Sequence, residues 1–220
     1  MAIQRKNALN LIAAEQKAYI DGVTAMISDG TYLALVAHHK DMSHNMHNMG
    51  TVVSQLRFLP WHRAYLLHME AELIKHEPKA FIPYWKWVDG GVPDWLKVFK
   101  PTVGGIKNER NDLGSPITDQ ARIDFLMKIK DYPTFTGELE VDPHNQGHGK
   151  LGKPMQNVPT APSDPIFWMH HGEVDRVWSE WQAKNPGKGP ILTGKDATMD
   201  PWSDTVTSLD SIASLGYSYA

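Results

Sequence analysis

Apolar residues recur at helical spacing through Leu9, Ile12, Ala13, Ala14, Tyr19, Ile20, Val23 and Met26, which predicts a helix over residues 7–28 stopped by Gly30. A second helix is predicted from about Tyr32, where Leu33, Leu35 and Val36 lead into His38 and His39. Residues 40–55 break the pattern; rich in Met, His and Asn, they read as a loop. The run PWHRAYLLHMEAELIKHEP then predicts a third helix, with Pro60 in its first turn, where a missing N–H costs nothing, and Pro78 at its end. Residues 81–116 hold PYWKW and then spaced Gly and Pro, which predicts irregular chain with at most short strands. Residues 117–129 suit a short helix or an extended segment. Asp142-Pro143 precedes HNQGH, a helix entry weakened by Gly147 and Gly149. After a Gly/Pro-rich loop at 150–162, SDPIFWMHHGEVDRVW reads as a helix, and the tail beyond Gln182 as loop. No repeat or linker divides the chain, so a single, mainly α domain over residues 1–220 is expected, with long irregular connections.

Composition narrows the function classes. A formal charge of −3 gives no reason to expect nucleic acid or an anionic membrane as partner. No window approaches eighteen unbroken apolar residues, so no membrane-spanning helix is expected. The N-terminal MAIQRKNALNLIAAEQKAYI is amphipathic and charged, unlike a signal peptide. The expected location is therefore cytoplasmic, or exported with a partner. The chain has no cysteine, which removes disulfides, thiolate zinc sites, iron–sulfur clusters and cysteine nucleophiles together.

Eleven histidines remain to be explained. His39 falls on the second predicted helix and His62 on the third; His144 and His148 are four apart; His170 and His171 are adjacent. Spacing of four puts two imidazoles on one helix face. His171 and Asp175 share a face for the same reason, so Asp175 is a candidate orienter of that ring, against a plain ion pair with an Arg. His68 and His76 read as ordinary surface or core histidines. The glutamate that would make His144/His148 an HExxH zinc-protease motif is absent. Histidine sets on four helices, without cysteine, point to paired metals in the core of a four-helix bundle. All-imidazole ligation suits copper, zinc, iron or nickel and disfavours magnesium, calcium and manganese. Three histidines and an open position serve zinc hydrolysis or copper–dioxygen chemistry equally, and the pattern does not choose.

These residues together resemble the type 3, or coupled binuclear, copper proteins: tyrosinases, catechol oxidases, o-aminophenol oxidases and molluscan haemocyanins. FLPWHRAYLLHMEAEL is similar to the first-copper signature of that family, and PYWKW to its PYWxW segment, with Lys86 where an acid is common. HNQGH resembles the start of the second-copper site and SDPIFWMHHGEVDRVW its end. The resemblance implies two copper ions, with His62 as the last ligand of the first and His144, His148 and His171 as ligands of the second, His170 being a neighbour. Tyr32 lies seven residues before His39, a family spacing that favours His39 over His38. The family's middle first-copper histidine would stand nine residues before His62, where this chain has Val53. The resemblance then implies His47 from the loop, with His44 as the alternative. Lacking cysteine, the chain cannot form the Cys–His thioether of fungal, plant and molluscan members, and it is more similar to bacterial tyrosinases without a C-terminal domain.

The activity so implied is O2-dependent hydroxylation of monophenols and oxidation of o-diphenols to o-quinones. Alternatives are an o-aminophenol oxidase, a catechol oxidase without monophenolase activity, and, further off, a haemocyanin-like O2 carrier or a zinc hydrolase. FTGELEVDPHN resembles the region where bacterial tyrosinases place a glutamate and an asparagine that handle the phenol proton, which implies Glu140 and Asn145. Gly149 would leave the mouth open, with Met155 and Val158 lining it. The expected partners are a small phenolic substrate and O2, with an unidentified copper-loading chaperone as a further candidate, and no nucleic acid and no membrane.

Overall fold

Helix α3 (Val52–His76) is the axis against which the other long helices pack. In this computed structural model, which describes residues 3–220, its first turn is closed by Thr51, whose hydroxyl accepts from the Ser54 N–H at 3.1 Å. The helix therefore starts two turns before the expected position, and Pro60 lies inside it. The cost of an interior proline is a carbonyl left without its N–H donor. Here that carbonyl, Leu56 O, accepts instead from the Tyr132 hydroxyl at 3.0 Å. Every residue from Leu56 to Leu66 is buried, so this stretch is core on all sides rather than on one stripe.

Helix α1 (Ala13–Asp29) packs on α2 (Thr31–Lys40) and α3 through Tyr19, Val23 and Met26. It begins later than the periodicity implied, because Asn7 caps a separate short turn at Ala8–Asn10 and residues 3–5 form a strand, β1. Gly30 ends α1 with φ of 88°, a left-handed conformation that L side chains adopt only with strain, and α2 leaves from it at once. The Met/His/Asn segment is a loop as expected, but ordered: Met46 is fully buried and His44 and His47 nearly so.

The stretch 81–116 carries only one short helix, α4 (Asp94–Val98), among irregular chain. Helix α5 (Gln120–Leu126) settles the ambiguous segment after it. Helix α6 (Tyr132–Leu139) was not expected; its sequence signal is Asp131, which caps Thr134 N–H at 2.9 Å, with Pro133 in the first turn. A kinked turn at Glu140–Asn145, opened by extended Asp142 ahead of Pro143, leads into α7 (Gln146–Leu151). Helix α8 (Ile166–Lys184) is buried without a break from Ile166 to Trp178 and crosses α3.

The tail is irregular but held. Arg57 of α3 donates to the carbonyls of Asp196 and Thr198, and Trp61 Nε1–H to that of Asp200. Its last strand, β2 (Tyr217–Tyr219), pairs in parallel with β1 (Ile3–Arg5). Three-residue strands stay silent in a sequence pattern, because neither end of the chain can pair until the helices bring the two together. The buried apolar side chains form one cluster. Among the described residues, no helix is long and apolar enough to cross a membrane.

Candidate metal centre

Six histidines from six places in the chain meet between α2, α3, α7 and α8. His39 ends α2, His47 comes from the following loop, His62 from mid-α3, His144 from the kinked turn, His148 from α7 and His171 from α8. His39 Nε2 lies 3.2 Å from His47 Nε2 and 3.4 Å from His62 Nε2, and the three can hold one ion. Across the gap, His144 Nε2 and His148 Nε2 are 3.1 Å apart. His171 joins the halves: its ring stacks on His62 with centroids 4.3 Å apart and stands edge-on to His144 at 4.9 Å.

The other ring nitrogens say which tautomers are present. His39 Nδ1 donates to Val158 O, His62 Nδ1 to Phe58 O, His148 Nδ1 to Met155 O, each at 2.8 Å, and His144 Nδ1 to Glu140 O at 3.1 Å. A carbonyl can only accept, so each Nδ1 carries the proton and each Nε2 is a bare lone pair. Between His39 and His62, and between His144 and His148, nitrogen lone pairs then face one another at 3.4 and 3.1 Å with no proton between them. That arrangement repels unless a cation sits among them, so the residues fit a pair of imidazole-ligated metals.

Of the terminal doublet, both members lie near His144 and His148, and by distance alone His170 completes a group with them. Its hydrogen bonds argue otherwise. His170 Nδ1 accepts from Trp87 Nε1–H at 3.0 Å and Nε2 donates to His144 O at 3.1 Å, so both nitrogens are occupied. His171 is buried, and neither of its ring nitrogens has a hydrogen-bond partner among the described residues. A buried imidazole with two idle nitrogens is costly unless a metal takes one. The chemistry therefore favours His171, as expected from sequence, over His170. Gly147 belongs to the same design: a Cβ there would stand 2.4 Å from His170 Cε1, so the glycine in HNQGH makes room for the ring that props His144.

Asp175, the candidate orienter of His171, does not reach it. Its carboxylate bonds Arg63 Nε at 2.6 Å and the hydroxyls of Tyr217 and Tyr219, with Arg5 Nη1 at 3.5 Å. The ion-pair role is the correct one, and it ties α8 to α3 and to the C-terminal strand. The alternatives to His39 and His47 also fall away: His38 packs edge-on to Trp202, and His44 stacks on Trp61.

Burial, and then neighbouring imidazoles, hold His39, His62, His144 and His171 well below the usual histidine range. Burial likewise pushes His148 down to about 4. Burial thus favours, in these five imidazoles, the neutral form that takes metal without first losing a proton. It opens to solvent through a cavity of about 290 Å³, walled by His39, His47, His144 and His148 with Asn145, Gly149, Met155, Gln156 and Val158. Larger hollows lie elsewhere on the surface, but none is lined by these histidines.

The sequence matches the family model for the common central domain of tyrosinase over residues 29–104 and 99–184. The chain belongs to the tyrosinase family. The tyrosinase of Streptomyces glaucescens is 28% identical over 257 residues, covering 91% of this chain and 93% of the relative. That of Streptomyces antibioticus is 27% identical with the same coverage. Latent apple tyrosinase shares the fold at a TM-score of 0.79 and 21% identity, over 100% of this chain and 62% of that one. An octopus haemocyanin functional unit does so at 0.76 and 22%, over 99% and 68%. The protein is a type 3 copper oxidase with two copper ions as its cofactor.

Glu140 sits behind His47 rather than in the cavity wall. Its Oε1 accepts from Asn48 N–H at 2.9 Å and lies 3.5 Å from His47 Nδ1, while Oε2 is buried without a partner. Glu140 thus contacts His47 without lining the cavity, whereas Asn145 lines it. Sequence reasoning missed the Phe58, Glu140, Met155 and Val158 carbonyls, because a backbone acceptor carries no residue signature. It missed Trp87 as the partner of His170 as well, although PYWKW marked the segment.

Proposed function

We propose that the protein hydroxylates monophenols and oxidises o-diphenols to o-quinones, with His39, His47 and His62 holding one copper and His144, His148 and His171 the other. The observation that carries this reading is the set of facing Nε2 lone pairs beside a cavity of about 290 Å³. Copper, when bound, supplies the redox change that consumes O2.

The chain's own residues do the rest. The four backbone carbonyls fix the tautomers and aim the imidazoles, while burial disfavours their protonation. Val158 and Met155 offer an apolar wall to the ring, and exposed Gly149 leaves the mouth uncovered. Glu140, which stands behind the cavity wall, receives the phenolic proton through a water held beside Asn145, whose side chain lines the cavity.

Copper content, with oxidase assays on L-tyrosine, L-DOPA and an o-aminophenol side by side, tests the proposal. Two coppers per chain and turnover of both tyrosine and DOPA are expected. Turnover of DOPA without tyrosine would reduce the activity to diphenol oxidation. Turnover of the aminophenol alone would replace it.

A further inference from the structure

We propose that the loop 152–160 is a brace shared by the two copper sites, which makes their loading cooperative. The inference rests on the ligand set proposed above. Val158 O fixes His39 of the first site and Met155 O fixes His148 of the second, both at 2.8 Å. Two carbonyls three residues apart thus hold one ligand of each ion.

The remaining carbonyl clamps could not do this. His62 is held by Phe58 O and His144 by Glu140 O, each the carbonyl four residues back along its own segment. Those bonds stay within one half of the centre. The 152–160 loop has no such confinement, and its two histidines need it. His39 is the penultimate residue of α2, and His148 sits on a six-residue helix with glycine on either side of it. Neither position is stiff by itself.

The loop is a self-bonded unit, so a pull on one carbonyl reaches the other. Gln156 N–H donates to Gly152 O at 2.7 Å, Asn157 N–H to Pro154 O at 3.0 Å and Thr160 N–H to Asn157 O at 2.9 Å. The Thr160 hydroxyl lies 3.1 Å from Pro154 O and 3.2 Å from Asn157 O, tying together the residues that flank Met155 and Val158. An ion at the first site fixes His39, which fixes Val158 and, through this unit, Met155. His148 is then already in place for the second ion. The ordering cost of the loop falls on the first ion alone, and that difference is a coupling free energy between sites.

Anaerobic titration of the metal-free protein with copper(I), followed by native mass spectrometry, measures the coupling directly. With the total capacity at two ions, the one-copper form should fall clearly below the share for independent sites, corresponding to coupling of about fivefold or more. Thr160→Val removes the hydroxyl at nearly constant shape and should restore the independent distribution, whereas Thr160→Ser should behave as the parent. A second measurement uses His144→Ala, which disables the second site but leaves its brace: copper(I) should still slow hydrogen exchange of the 155–160 amides several-fold. A capacity other than two ions would end the ligand assignment itself. Capacity of two with an independent distribution in the parent, an unchanged distribution in Thr160→Val, or indifferent loop amides in His144→Ala would overturn the brace alone.

Discussion

The imidazole of His171 lies flat on that of His62, with centroids 4.3 Å apart and planes within 11° of each other. One ring belongs to α8 and the other to α3, so the crossing of those two helices sets the spacing between the halves of the copper centre. Because neither nitrogen of His171 is engaged by the protein, its removal leaves nothing unsatisfied except the metal.

His171→Ala should therefore lose about one copper per chain, as should His62→Ala, together with nearly all oxidase activity. His170→Gln separates the doublet: both coppers should remain, with lower stability from the disturbed Trp87 and His144 contacts. Copper quantification on the purified variants decides it. A one-copper His170→Gln beside a two-copper His171→Ala would reverse the assignment.

Glu140→Gln keeps an oxygen to accept from Asn48 N–H but removes the charge and the proton-accepting oxygen. Monophenol turnover should fall at least about tenfold, in the range typical of general-base loss, with diphenol turnover changed much less. An equal fall in both would leave Glu140 as a support for His47 only.

Acid should destabilise the metal-free protein within a defined window. Below pH about 6.5 the unfolded chain protonates its histidines, whereas burial keeps the clustered ones neutral, His148 down to about 4. Unfolding then takes up protons, so stability is complete above pH about 6.5 and is lost as pH falls toward 4. Each such histidine contributes about 1.4 kcal/mol per pH unit across the window. Urea unfolding at pH 7.5 and pH 5 measures this, and equal midpoints would contradict it.

Asp175→Asn leaves the buried Arg63 without its carboxylate and loosens the 3.5 Å contact to Arg5, which keeps its pair with Glu70. A loss of about 3–5 kcal/mol is expected, the usual result of breaking a buried pair from one side. Copper stoichiometry in the folded fraction should stay at two, since the carboxylate touches no histidine. Loss of copper at unchanged stability would point back to an orienting role.

Much of this centre is legible in the chain. FLPWHR, HNQGH and the final HH doublet are local strings, and the fourfold spacing of His144 and His148 is set by helix geometry alone. A mainly α domain follows from periodicity in the same way. Other features depend on meetings between distant segments. Pro60 sits inside a helix because Tyr132 arrives to take the orphaned carbonyl. His47, rather than His44, enters the centre because the loop folds its ring against His39 and Glu140.

Ligand type and helical phase are properties of a short stretch, so the chain's own order of residues names the side chains that can bind metal and the helices that carry most of them. The tertiary structure alone decided which nitrogen of each imidazole is free, that His171 and not His170 stands unpartnered, and that one loop serves both halves. Those outcomes rest on backbone carbonyls, which every residue possesses and no residue advertises, brought within 2.8–3.1 Å of a ring only when the chain has folded.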